Sequence, residues 1–390
     1  MTNSSTQFSN FIKKYSNFKE SGLTGRYINF DHISKALQNA SSNFDIEIIG
    51  NSVLEEPIHL IKIGEGKIKI LLWSQMHGNE STTTKAVFDL INAFKEFKEN
   101  SVIKGILDNC SLYIIPMLNP DGARAYTRVN ANNTDLNRDA KNLTEVESRV
   151  LRQVFDDIQP DFCFNLHDQR TIFSAGRNEY PATLSFLTPS EDIKRSITPT
   201  REESMRVVAS IFKDLSPLLL NRIGRYSDEY NANCTGDTFQ ALGTPTILFE
   251  AGHSYNDYQR EKTREYVFFA IISGLNTIAI DNYKNADISV YLDIPENEKL
   301  YYDLILRNAI INEGVVDIAI QFKEVLKDSA IKFIPVVENI SPKLAFFAHR
   351  EIDCDFQTIS LPDHSPLSEN VVVEKILLKN EILMINYENN

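Results

Sequence analysis

Cysteine is scarce in this chain of 390 residues: Cys110, Cys163, Cys234 and Cys354, with no closely spaced pair among them. That pattern excludes a disulfide framework and a cysteine-held zinc, and the thiols read as reduced and structural. Long apolar runs are missing as well. No segment approaches the roughly 18 uninterrupted apolar residues that a membrane helix needs. The opening stretch, MTNSSTQFSNFIKKYSNFKESG, has no apolar run of signal-peptide type. The expected location is cytoplasmic, away from membranes. Positive charge is in deficit too, with 40 Lys+Arg against 53 Asp+Glu for a net charge of −13. Residues 286–390 hold 18 acidic and 9 basic side chains and so carry −9 of that total. No basic stripe with interleaved aromatics offers itself to a phosphate backbone, and nucleic acid is not an expected partner.

What is present suits an ordinary soluble globular protein, with 42% of residues hydrophobic and 24% charged, and the length leaves open one large unit with a smaller appendage or two comparable domains. FDIEIIG (44–50) and PIHLIKIG (57–64) read as a hairpin leading into the strand KIKILLW. From Ser81 the period becomes helical, with Val87, Leu90, Ile91 and Phe94 on one face. SLYIIPML (111–118), DFCFNLH (161–167) and TPTILFE (244–250) read as three further strands. VESRVLRQVFDDI (146–158) and the stretch through REYVFFAIISGL read as helices. This alternation predicts an α/β unit: a mostly parallel mixed sheet with helices on both faces. After residue 286 the texture changes to short runs, ISVYLDI, YYDLILR, VVDIAIQF, IKFIPVV, KLAFFA and VVVEKILL, which predict a small C-terminal all-β domain of sandwich or barrel type. The expected division is a lead-in at 1–43, a catalytic domain at 44–285 and a β-rich accessory domain at 286–390.

Four of the predicted strands end in polar residues: HGNE, NPDG, HD and EAG. Ligands in open α/β sheets bind just beyond the carboxyl ends of the strands, so one site can collect all of them. His77 at a strand end and Glu80 at the following helix start can converge on one cation, and His167 in NLHD supplies a third donor of the same kind. Three His or carboxylate ligands with an open fourth position are the pattern of catalytic zinc. Asp168 is a candidate partner to His167. Taken singly, each has a plainer reading, as a satisfied strand-end histidine or a helix-start carboxylate. His32, His59, His253, His349 and His364 fit no ligand pattern with the first pair. Arg128 and Arg138, in TRVNANNTDLNRD, offer guanidinium groups for a carboxylate or a developing oxyanion. Glu250 ends an otherwise apolar strand, where a carboxylate is costly unless paired or functional. Beside an activated water it would serve as general base, then as the acid that protonates a leaving amine.

In that order, HGNE, NPDG, TRVNANNTDLNRD, NLHD and ILFEAG resemble the zinc carboxypeptidase family (peptidase family M14), in its bacterial branch that includes murein peptide amidases. The resemblance covers roughly residues 55–280. It implies a zinc carboxypeptidase fold with one Zn2+ per chain held by His77, Glu80 and His167. Arg128 would stabilise the oxyanion, Asn137 and Arg138 would grip the terminal carboxylate of the substrate, and Glu250 would activate the water. Asp237, after Gly236, resembles the pocket acid where specificity is often set. Tyr226 and Tyr230 are both candidates for the tyrosine that closes over the substrate, with Tyr230 carried forward. The spacing from Arg128 to Asn137 is shorter than in the digestive members, so the substrate loops differ. The β domain sits where some members carry a transthyretin-like domain.

The expected activity is therefore zinc-dependent hydrolysis of the C-terminal amide bond of a peptide with a free carboxylate. The alternatives are a murein peptide amidase or N-acyl amino acid deacylase of the same fold, and a binding module without catalysis.

Overall fold

The computed structural model describes residues 2–379 and 381–387. The chain opens with α1 (Thr2–Ile12) and α2 (Phe30–Ala40), followed by β1 (Asp45–Asn51), β2 (Pro57–Ile63) and β3 (Ile68–Ser74). Next come α3 (Thr82–Glu96), α4 (Ser101–Asn109), β4 (Cys110–Ile115), α5 (Pro120–Ala125), α6 (Val146–Ile158) and β5 (Phe162–Asp168). The middle of the chain forms β6 (Ser174–Ala175), β7 (Leu184–Leu187), α7 (Pro199–Leu215), β8 (Ile223–Arg225), α8 (Thr235–Ala241), β9 (Thr246–Ala251) and α9 (Glu261–Ala279). After α10 (Ile288–Leu292) and β10 (Asn297–Glu298) the described residues form only strands: β11 (Tyr301–Ile311), β12 (Gly314–Lys327), β13 (Ala330–Ser341), β14 (Phe347–Asp353), β15 (Ile359–Ser360), β16 (Lys375–Leu378) and β17 (Glu381–Met384).

An eight-stranded sheet runs in the order β1-β2-β4-β3-β5-β9-β7-β8. Its centre, β4-β3-β5-β9, is parallel, and antiparallel pairs flank it at β1-β2, β2-β4 and β7-β9. Successive side chains of a strand point to opposite faces. Ile70, Leu72 and Phe164 accordingly join one core with α3, α4, α7 and α9, while Leu71, Trp73 and Cys163 join another with α6 and α8. The second core includes Phe155 of α6 stacked on Phe239 of α8 at 4.0 Å between ring centroids. Helices thus cover both faces, as the alternation predicts, and β5 is buried at every position.

One short run takes a different state from the one its sequence predicts. ISVYLDI forms the helix α10 rather than a strand: Asp287 caps it by accepting from the Ser289 amide, and Tyr291 is buried against the first core. The polar stretch between β5 and β9 contains the long helix α7, started by the Thr198 cap with Pro199 in its first turn. NPDG is a capped helix start, with the Asn119 side chain accepting from Gly122 N at 2.9 Å. The chain before residue 44 also reaches the first core, through Phe8, Phe11, Phe18 and Leu37.

The C-terminal strands form a four-stranded sheet, β13-β12-β11-β14, and a three-stranded one, β15-β16-β17. Leu304, Ile320, Val337, Ile359 and Ile376 fill the core between them, a sandwich rather than a barrel. No helix among the described residues is long and apolar enough to cross a membrane.

Candidate metal centre and substrate cleft

The strand ends bring the predicted donors together. β3 leads to His77, β5 carries His167, and Glu80 stands just before α3. One close backbone approach and one side-chain hydrogen bond fix the His77 loop. A Cβ on Gly78 would lie 1.9 Å from the Gly122 carbonyl carbon, so only glycine lets this loop pack on α5. From the same side, Asn119 Nδ2 donates to Met76 O at 3.1 Å.

Ligand atoms from His77, Glu80 and His167 all lie within 4.8 Å of one another. His77 Nδ1 is 3.0 Å from Glu80 Oε1, His167 Nδ1 is 2.8 Å from Glu80 Oε2, and the two Nδ1 atoms are 3.0 Å apart. His77 Nε2 faces Asp135 Oδ1 at 2.9 Å, and as an N–H donor there it leaves the Nδ1 lone pair turned inward. Burial disfavours a proton on either ring; Glu80 and Asp135 reverse that at His77, whereas burial prevails at His167. Burial also opposes charge on Glu80, but the two imidazoles outweigh it and hold the carboxyl well below its ordinary range. Two nitrogen lone pairs and a carboxylate aimed at one another are stable only around positive charge. The donor set therefore fits a divalent cation, and His2Glu is a zinc set.

Glu250 is the residue beside His167 in the β5-β9 register, on the same sheet edge. Its Oε2 is buried with no hydrogen-bond partner among the described residues. Burial first, then the charges of Glu80 and Asp168, push its carboxyl well above the ordinary range, which suits a group that must hold and release a proton. Arg128 reaches Glu80 Oε1 with Nη1 at 3.2 Å and Asp135 Oδ2 with Nε at 3.0 Å.

All nine predicted site residues line one cleft of about 680 Å³: His77, Glu80, Arg128, Asn137, Arg138, His167, Tyr230, Asp237 and Glu250. Asn137 accepts from Thr235 N at 3.0 Å, which ties it to the start of α8, and Arg138 Nη1 lies 3.2 Å from Cys234 Sγ. Asp237 accepts from Asn231 N at 3.1 Å, and burial raises its carboxyl to about 6. Tyr226 and Tyr230 both line the cleft. The Tyr226 phenol is the one that feels Glu250 and Glu80, and burial plus those charges raise it.

Two features were not foreseen. Asp135, in the middle of NTDLNR, is the partner of His77; its acidity and its place in that motif are its only sequence signals. Asp168 does not orient His167: its carboxylate accepts from Thr82 N and Thr83 N at the start of α3, and its amide donates to Glu80 Oε2 at 3.1 Å.

Residues 31–268, more than half the chain, match the zinc carboxypeptidase family, and the chain belongs to it. Among curated relatives, carboxypeptidase SOL1 of Arabidopsis thaliana is 32% identical over 128 residues, 30% of this chain and 26% of that protein. The gamma-D-glutamyl-L-diamino acid endopeptidase 1 of Lysinibacillus sphaericus is 35% identical over 94 residues, 23% of this chain and 24% of that one. The match thus spans about a quarter of each relative's length. A metallo-carboxypeptidase from Burkholderia cenocepacia shares the fold, with a TM-score of 0.53 and 18% identity over 66% of this chain and 70% of that one.

Proposed function

We propose that the protein is a zinc metallocarboxypeptidase that hydrolyses the amide bond before a terminal residue bearing a free carboxylate. The observation that carries this reading is the convergence of His77, Glu80 and His167 within 4.8 Å, in one cleft with Glu250 and the Asn137–Arg138 pair. His77, Glu80 and His167 would hold the zinc, which would supply Lewis acidity toward a water and the scissile carbonyl when bound. Asn137 and Arg138 hold the substrate carboxylate, Arg138 through its guanidinium fork. Glu250 takes the proton of the attacking water and returns it to the leaving amine. Arg128, exposed beside Glu80, meets the negative charge that develops on the carbonyl oxygen. Tyr230 or Tyr226 covers the substrate from the cleft wall. The same cleft residues, all between positions 77 and 250, support treating residues 44–285 as the catalytic unit.

Asp237 favours a particular version of this reading. A buried carboxylate on the leaving-group side of the cleft suits a residue with a side-chain amine. The Lysinibacillus relative bears on the point, since its name assigns it to a bond before a diamino acid. Cell-wall peptide amides of that kind are the second candidate substrate class.

The test is a panel of peptides ending in lysine, free or amidated at the carboxyl, offered to the zinc-loaded wild type, Arg138→Ala and Glu250→Gln. The wild type is expected to cleave the free acids, and Arg138→Ala to raise KM for them while leaving the amides unaffected. Glu250→Gln is expected to keep zinc and lose about 10²-fold or more in turnover. Near-normal turnover in Glu250→Gln, or an equal effect of Arg138→Ala on acids and amides, contradicts the assignment.

A further inference from the structure

A second cavity, of about 590 Å³, opens between the catalytic sheet edge and the C-terminal sandwich. It shares Glu80, Asp168, Gln169 and Arg170 with the first cleft and includes none of Arg128, Asn137, Arg138 or Asp237. It therefore begins at Glu80, one of the three metal ligands, and excludes the carboxylate clamp. Its outer wall is the sandwich, through Tyr302, Asp303 and Lys323 among others. A substrate held by the Asn137–Arg138 clamp and cut beside Glu250 would extend its acyl part past Glu80, toward this chamber.

The floor of this chamber is firmly set. Gln169 donates to Ala182 O at 2.8 Å and accepts from Asn297 Nδ2 at 3.1 Å. Thr171 accepts from His349 Nε2 at 2.8 Å through its carbonyl and from Gln321 Nε2 at 2.7 Å through its hydroxyl. Arg170 is thus held between two pinned neighbours, one of them bonded directly to the sandwich.

The charges in the chamber are mostly spent on one another. Glu324 is taken by Arg26, which spans both its oxygens at 3.2 Å, and by Tyr126. Asp303 accepts from Tyr258, Gln321 and Phe322 N, Glu338 pairs with Lys323 at 3.5 Å, and Asp168 caps α3. Two exposed cations are left over, Arg170 and Lys299, neither with a hydrogen bond or ion pair among the described residues. Everything negative has a partner and the free charge is positive.

We infer that this chamber is the acyl-side subsite and that Arg170, with Lys299 across from the catalytic sheet, selects substrates whose acyl group carries a free carboxylate. The inference rests on the hydrolase reading above. Arg170 is three residues beyond His167 on the same strand end, so a carboxylate near the scissile carbonyl falls within its reach. Its guanidinium would bind that carboxylate in bidentate fashion, while the carboxylate of the leaving residue stays with Arg138. The accessory sandwich then has a defined task, closing the subsite, while the link between β10 and β11 contributes Lys299.

The experiment compares γ-glutamyl-lysine with the same peptide in which the acyl α-carboxylate is a carboxamide, using the full-length zinc-loaded chain, Arg170→Gln and Lys299→Gln. Wild type should favour the acid by about tenfold or more in kcat/KM, as expected of a charge-assisted contact. Arg170→Gln should lose that preference, and its zinc content and circular dichroism, unchanged from wild type, report on folding. No preference in the wild type, or a preference intact in both variants, overturns the inference while leaving the hydrolase reading standing. Calorimetric binding of glutamate and isoglutamine, which differ only in that carboxyl, gives a readout independent of turnover. If neither peptide is cleaved the hydrolase reading fails. Tighter binding of glutamate that is lost in Arg170→Gln then supports the acidic subsite, and equal binding overturns it.

Discussion

At the scale of residues, the folded loop sets Asp135 2.9 Å from His77, on the far side of the ring from the other donors. That contact predicts that Asp135→Asn weakens zinc binding by about 10- to 100-fold, read by titration against a competing chelator. An unchanged affinity would remove Asp135 from the site. The metal donors were legible because their chemistry needs particular side chains at strand ends, and HGNE and NLHD put them there. Asp135 was not, because nothing local ties it to a residue 58 positions earlier. Asp237 makes a pH-dependent prediction. Its carboxyl ionises near the ordinary 3.8 in the unfolded chain and at about 6 in the fold. Between those values the folded state keeps a proton that the unfolded state has lost, so this residue's contribution to stability falls as pH rises through the window. Ionisation is also what attracts a basic leaving residue. The kcat/KM ratio for a lysine over a leucine leaving residue should therefore climb from pH 5 to 7 with a midpoint near 6, and Asp237→Asn should flatten it. A flat ratio in the wild type would show that Asp237 does not face the leaving side chain.

At the scale of elements, periodicity succeeded where burial is one-sided or complete. The helix at 146–158 and the strands ending at the site follow their apolar patterns. It failed where one short apolar run suits either state. ISVYL became a helix because Asp287 caps it and Tyr291 has a pocket in the first core, neither visible in the run itself. Gly78 acts through close packing rather than through its backbone angle. Its φ is not in the left-handed region; what requires glycine is the Gly122 backbone pressed against it. Gly78→Ala should thus destabilise the fold by about 1–3 kcal/mol, as overpacking does. Gly105→Ala, in α4 with nothing within 4 Å of the added carbon, should stabilise it by about 0.5–1 kcal/mol. Denaturant midpoints measure both, and a neutral Gly78→Ala would mean that the His77 loop is free to move off α5.

At the scale of the whole molecule, composition revealed an acidic β-rich segment but not its position, since docking depends on contacts between residues far apart in the chain. Gln321 reaches Thr171 across 150 positions and His349 reaches it across 178. That seam lies directly beyond the ligand strand β5 and places the sandwich against the metal site. Both the cleft and its acyl-side chamber take their shape from the centre formed by His77, Glu80 and His167. The most direct test is the zinc content, by elemental analysis, of the purified full-length chain and of His77→Ala. About one zinc per chain in the wild type, lost in the variant, is the expected result. A wild type that cannot be loaded with zinc, or a variant that retains it fully, would contradict the assignment of this centre.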